Sequence, residues 1–358
     1  MLQREGKALR LLSFDGGGSR CASQLKILDS IMCRIQYDEY PDDPDKVILP
    51  CDYFDLCGGS DAGGLIVILL IKLRLSIEEA SIAFDNICKR VYEPVDITAE
   101  ERSTRLKLYL EELLRKRGVP LDTKMFDSMT HGGCSGFVVA RPRSNLQSLT
   151  TFRSYRIRAE RTVSISVIDA ALATCAAHPS FLPVAVGPDG RQTEYIGTTL
   201  GANNPVREVI SEAHALFGGD VSVASLISLG AGDHGTISIK EGSPDQDISS
   251  VLRTMVVSCE RVANEVAIQL GNLGFYFRLS VKHGLQAMNL SPSTIYSATS
   301  DYLNDPEVSS KLEQCVTSLE FRLGLTTLEQ LSRSINLVHI GSLSPLVCRI
   351  LWRWTCSS

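Results

Sequence analysis

The stretch CDYFDLCGGSDAGGLIVILL, residues 51–70, reads as a short strand, a glycine turn and an apolar helix. Its small residues crowd around one point. A nucleophile elbow demands this, because its strained strand-to-helix turn tolerates little bulk beside the apical residue. No GxSxG is present. Ser60 is framed as Gly58-x-Ser-x-Ala62 and Asp61 as Gly59-x-Asp-x-Gly63, so two residues compete for the apex and the steric rule slightly favours Asp61.

A unit of the same kind precedes it. "ALRLLSF" (8–14) is an apolar strand that runs into Asp15, three glycines at 16–18, and "SRCASQLKILDSIMCRIQ" with Leu25, Leu28, Ile31, Met32 and Ile35 at helical spacing. Consecutive glycines can turn several N–H groups toward one point, and the following helix adds its partial positive charge. Such a nest suits a phosphate or the oxyanion of acyl transfer, with Arg20 steadying the loop or meeting an anionic head group. A tight packing turn would use the same glycines. The sixth position of a GxGxxG is Cys21, which speaks against dinucleotide binding.

Further strands are expected in "SGFVVARP" (135–142), "FRSYRIR" (152–158), "TEYIG" (193–197) and "VSVASLISL" (221–229). Helices are expected over 76–92, where Ser76 and Glu79 fit a capping box, and over 102–118, 166–177 and 205–217. From about residue 244 onward the pattern reads as helical. Repeated strand–glycine–helix units predict an α/β fold with a mainly parallel central sheet.

Bulk composition narrows the function classes. A net charge of −5 over 358 residues, with no basic block, argues against nucleic acid. Eleven cysteines without CxxC, Cys57 and Cys134 among them as small buried thiols, fit a reducing cytoplasm. Six histidines with no HxxxH or HExxH leave no metal motif, and no cofactor is expected. No run reaches the ~18 apolar residues of a membrane span. "INLVHIGSLSPLVCRILWRW" (335–354) carries both tryptophans, interrupted by Pro345. It reads either as a docked terminal segment or as an interfacial anchor for peripheral membrane contact.

Taken together and in order, these segments resemble the patatin-like phospholipases, fungal members above all. The DGGGxR of 15–20 is followed by "FDLCGGSDAGG" (54–64), which lies without a gap on the family's FDxIxGTSxGG elbow. "ALATCAAHPSFLPV" (171–184) is similar to its A-x-A-T-S-A-A-x-x-x-F-x-P segment, and "YIGTTLGANNPVREV" (195–209) to Y-[IV]-D-G-x-L-x-x-N-N-P. "SLISLGAG", "FRLSVKHGLQ" and "YLNDPEV" resemble later segments, which gives a patatin-like domain over 1–330 and a tail over 331–358.

The resemblance implies a three-layer fold and a Ser–Asp dyad that hydrolyses lipid acyl esters, with the DGGGxR backbone as oxyanion hole. Gly16, Gly17, Gly18 and Arg20 keep the oxyanion element, and Gly59 and Gly63 keep the elbow. Both dyad positions depart: Asp61 stands at the nucleophile and Gly197 at the acid. A carboxylate there would be held as an anion, would satisfy donors meant for the transition state and would repel developing negative charge. The expected outcome is an inactive or impaired homologue that retains a cleft for a phospholipid or acyl lipid. One alternative is a serine hydrolase or acyltransferase using Ser60, with Asp189, Glu194 or His178 in support; another is a regulatory or effector domain acting by protein interaction. If the cleft is otherwise intact, Asp61→Ser with Gly197→Asp should restore esterase activity.

Overall fold

The two glycine-rich units form the centre of the sheet. In the computed structural model, which describes residues 7–127, 133–199, 201–233, 258–270, 274–285 and 290–336, strand β1 (Leu9–Phe14) pairs in parallel with β2 (Leu56–Ser60). On the far side of β2 lies β3 (Ser135–Pro142), and beyond β1 lie β7 (Ser222–Leu229) and β8 (Tyr276–Leu279), all parallel. Antiparallel additions complete the sheet. These are β4 (Thr150–Arg153) and β6 (Thr193–Ile196) on β3, β5 (Val184–Val186) on β6, and β9 (Thr326–Thr327) on β7.

Side chains alternate across these strands and feed two separate cores, as a sheet covered on both faces requires. Leu12, Phe14, Cys57, Val138 and Ile227 face one core, where α1 (Ala22–Glu39), α3 (Asp61–Val67), α4 (Ile77–Ile87), α5 (Ala99–Lys116) and α6 (Val167–Cys175) pack. The one-turn α2 (Pro50–Tyr53) leads into β2 on the same side. Leu9, Leu11, Phe137, Val139 and Val223 face the other core, against α7 (Val206–Phe217), α8 (Glu260–Leu270) and α11 (Leu328–Asn336). Two further helices, α9 (Pro292–Leu303) and α10 (Pro306–Phe321), join the first core through Ile295, Leu312 and Val316. The result is the helix–sheet–helix layering expected from the sequence.

Local signals are realised where side chains carry them. Ser76 Oγ accepts the Glu79 N–H at 3.1 Å and Glu79 Oε2 accepts the Ser76 N–H at 3.0 Å, the reciprocal capping box at the start of α4. The apolar run that follows the elbow begins as α3 and widens into a π-turn over Ile68–Lys72.

The reading of everything beyond residue 244 as helical is corrected by β8 and β9. In β8, Phe277 and Leu279 are buried while Tyr276 and Arg278 are half-buried, a period of two. The strand is only four residues long and carries an arginine, so its alternation is lost among helical neighbours. Residues 244–257 of that expected helical stretch lie outside the described residues. Residue 330 falls inside α11, whose Leu331 is buried. Both tryptophans of the tail also lie outside the described residues. Among the described residues, no helix is long and apolar enough to cross a membrane.

Candidate functional site

β1 and β2 deliver their glycine turns to the same edge of the sheet, and the sequence between 58 and 64 explains why the second turn is so sharp. A Cβ on Gly59 would lie 2.5 Å from the Gly63 carbonyl oxygen, and one on Gly63 would lie 2.3 Å from that of Asp15. Only glycine lets strand, helix and first loop approach so closely. The residue at the apex is Asp61, which sits at φ 51°, in the left-handed region that a non-glycine residue seldom adopts. Ser60, one position earlier, has ordinary extended geometry.

The two side chains point to different places. Asp61 Oδ2 accepts the N–H of Gly17 at 3.1 Å and that of Gly18 at 3.2 Å. Its own N–H donates to Thr174 Oγ1 at 3.1 Å, and Thr174 in turn donates to the Val139 carbonyl at 2.9 Å. Ser60 is fully buried, and its Oγ lies 2.6 Å from Thr198 Oγ1. Asp61, not Ser60, therefore meets the nest.

Burial raises the Asp61 pKa, while the N–H donors of Gly18, Ala62 and Gly17 and the charge of Arg20 pull it down. The raised direction differs from the firmly held anion expected from the sequence. The carboxyl is so enclosed that desolvation outweighs its donors.

The nest has its own support. Gly18 lies at φ 58°, and Arg20 is buried, with Nη1 donating to the Leu285 carbonyl at 3.3 Å. Asn203 grips Gly16 from both sides: its carbonyl accepts the Gly16 N–H at 2.8 Å and its Nδ2 donates to the Gly16 carbonyl at 3.2 Å. Beneath the loop, the fully buried Asp15 lies 2.7 Å from Arg278 Nη2, which also reaches Glu260 at 2.5 Å. Burial pushes Asp15 up to about 6 against the pull of Arg278. The Tyr92 ring lies beside Gly18, 3.7 Å from where a Cβ would stand, and meets Phe181 edge-on at 6.0 Å. A small cleft opens there, lined by Ser19, Tyr92, Glu93, Leu290 and Ser291.

The mainly parallel sheet between helices agrees with the fold class expected from the sequence, and comparison with known proteins decides the family. A family model described as patatin-like phospholipase matches residues 12–210. The chain belongs to the patatin-like phospholipase family. Patatin-like protein 2 of Arabidopsis thaliana is 25% identical over a 264-residue comparison, with 64% of this chain covered. The chain spans 61% of that relative's length.

Position 197, where the sequence resemblance would set the family's acid, is closely packed. The Gly197 N–H donates to the Ala176 carbonyl at 3.0 Å, and a Cβ there would lie 2.6 Å from the Thr174 carbonyl oxygen. The double change Asp61→Ser with Gly197→Asp therefore meets a steric obstacle. An aspartate at 197 needs the Thr174–Ala176 backbone to shift first.

The substitute groups stand elsewhere. Asp189 is exposed at the β5–β6 hairpin, where the Arg191 N–H donates to the Pro188 carbonyl at 3.0 Å. Glu194 is exposed and paired with Arg143 at 2.9 Å. His178 is exposed in the loop after α6. Among the described residues there is no cluster of His, Cys, Asp and Glu able to hold a metal ion.

Thr174, Asn203 and Arg278 were not singled out from the sequence as site residues. Thr174 and Asn203 lay inside quoted segments, and a polar residue in each apolar or glycine-rich run was the available signal. Arg278 offered only a cation alternating with Phe277 and Leu279.

Proposed function

We propose that this chain is a lipid acyl hydrolase fold with its hydrolytic chemistry switched off, acting as a binding or regulatory protein. Family membership supports the acyl-hydrolase type of site. The observation that carries the finer reading is the Asp61 carboxyl group accepting the N–H groups of both Gly17 and Gly18. Those donors would have to receive an oxyanion for acyl transfer to proceed. They already hold an acceptor, and any ionised fraction of it repels the charge that develops on an attacked carbonyl.

A carboxylate can act as a nucleophile. Attack on an ester would leave a mixed anhydride, and position 197 offers no base to discharge it. Loss of groups that act as a unit removes most of the rate enhancement and leaves little beyond binding. The Ser60 alternative is opposed by its full burial and its contact with Thr198.

The ligand would be a phospholipid or other acyl lipid, entering beside Tyr92, whose ring lines the small cleft next to the nest. The protein would act in the cytoplasm, with peripheral membrane contact through its terminal segment. The test uses purified full-length chain with a fluorogenic acyl ester and a fluorophosphonate probe. The expected result is turnover at the background rate and no labelling, in wild type and in Ser60→Ala alike. Robust turnover or labelling that disappears in Ser60→Ala would overturn it.

A further inference from the structure

Behind the elbow, on the opposite side of β2 from the nest edge, lies a second arrangement of reactive side chains. Cys57 is fully buried in β2, and Cys134 is half-buried immediately before β3. Their sulfurs lie 3.5 Å apart. The strand register explains the meeting. Cys57 pairs with Gly136, so Cys134, two positions earlier and just before the neighbouring strand β3, projects from the same face. A disulfide needs its sulfurs about 2.05 Å apart, so the gap to close is about 1.5 Å, within reach of a side-chain rotation on the irregular residue before β3.

The Cys134 thiol donates to the Ser135 carbonyl at 3.3 Å, and a cation in the same region can balance the sulfur's charge once the proton leaves. That cation is Arg74, whose Nη1 would stand 3.2 Å from a Cβ on Gly133, the residue before Cys134. Arg74 is anchored to Asp52 at 2.8 Å, and its pKa is raised by that bond and, more weakly, by the thiols of Cys51 and Cys134. A neighbouring cation is the usual means of activating a cysteine. Cys51, the third sulfur of the region, is buried and pushed up to about 11, so it stays a thiol.

We propose that Cys57 and Cys134 are a peroxide-oxidisable dithiol that closes to a disulfide between the elbow strand and the entry of β3. The Cys134 thiolate attacks one peroxide oxygen, forming a sulfenic acid and releasing hydroxide, which takes up a proton to become water. Cys57 then attacks the sulfenic sulfur, forming the S–S bond and expelling the hydroxyl as a second water. In sum the two thiols lose two protons and two electrons, and hydrogen peroxide is reduced to two waters. A reducing cytoplasm would reopen the bond, so the pair would respond to oxidant rather than staple the fold permanently. This inference does not depend on whether the acyl site is active.

The experiment exposes the full-length native chain to dilute hydrogen peroxide, blocks remaining thiols with an alkylating agent, and maps cross-linked peptides by mass spectrometry with and without reductant. The expected product is a reductant-sensitive 57–134 link, lighter by two hydrogens. It should persist in Cys51→Ser, which distinguishes the two cysteines that share a tryptic peptide. It should form several-fold more slowly in Arg74→Gln, and Cys57 should remain alkylatable after denaturation in Cys134→Ser. Cys33 is an internal comparator, exposed and hydrogen-bonded to Asp29, with its pKa raised by partial burial and by that carboxylate. A 51–134 link, conversion of Cys134 to sulfinic acid without a link, or oxidation of Cys33 ahead of Cys134 would each overturn the proposal. Cys134 is half-buried, so its variant should keep the wild-type thermal transition, and the wild-type measurement needs no variant.

Discussion

Positions 61 and 197 are the two that the sequence resemblance sets at a dyad, and their surroundings differ. At 61 the backbone keeps the left-handed apex, the glycine packing and the donor nest, and only the side chain is foreign. At 197 the space itself has closed, with the Thr174 carbonyl 2.6 Å from where a Cβ would begin. One residue joins the two places. Thr174 accepts the Asp61 N–H through its hydroxyl and closes position 197 with its carbonyl. The elbow endures because it is a packing device as well as a catalytic one: the Asp15 and Gly63 backbones meet there at glycine distance. Position 197 has no such packing role to keep space open beside it.

The largest expected effect tests that packing role. Gly63→Ala drives a Cβ into backbone oxygens of Asp15 and Phe14, at 2.3 and 2.7 Å. It should destabilise the fold by about 3 kcal/mol in chemical denaturation, at the upper end of overpacking costs. A neutral result would mean that the elbow is not under packing constraint.

Gly197→Ala comes next, with an expected loss of about 1–3 kcal/mol by the same measurement. Asp61→Ser with Gly197→Asp should remain without esterase activity. Recovery of turnover in that double variant would erase the contrast between the two positions.

Asp61→Gly should change stability by less than about 1 kcal/mol, because relief of the left-handed backbone offsets the loss of the acceptor for Gly17 and Gly18. The smallest effect is in pH dependence. The Asp61 pKa is raised above its ordinary 3.8 by burial, so its protonated form favours the folded state. That contribution is full below about pH 3.8 and fades as pH rises through the folded-state pKa. Melting curves of wild type minus Asp61→Ser should therefore show the wild type losing ground as pH rises. A difference that grows with pH would place the carboxyl in a charge-stabilised setting instead.

Much of this was legible in the sequence, for identifiable reasons. Gly59 and Gly63 fixed the register that put Asp61 at the apex, because glycine positions record steric necessity. Two strand–glycine–helix units were enough for a mainly parallel sheet between helices. The fate of position 197 was not legible, since a glycine in sequence does not say whether space remains beside it. The β8 strand escaped because four residues carry little periodicity, and with it went Arg278, the cation beneath the loop. The direction of the Asp61 pKa was also missed. Helix end and donors can be inferred locally, whereas desolvation depends on everything that encloses the group.

The central claim is that the Asp61 carboxyl occupies the donor nest of Gly17 and Gly18. Amide NMR of the two glycines across a pH series tests it most directly. The account predicts that both amide resonances shift together along one titration, and that the titration vanishes in Asp61→Ser. Gly17 and Gly18 amides indifferent to pH in the wild type, with the same spectrum in Asp61→Ser, would contradict it.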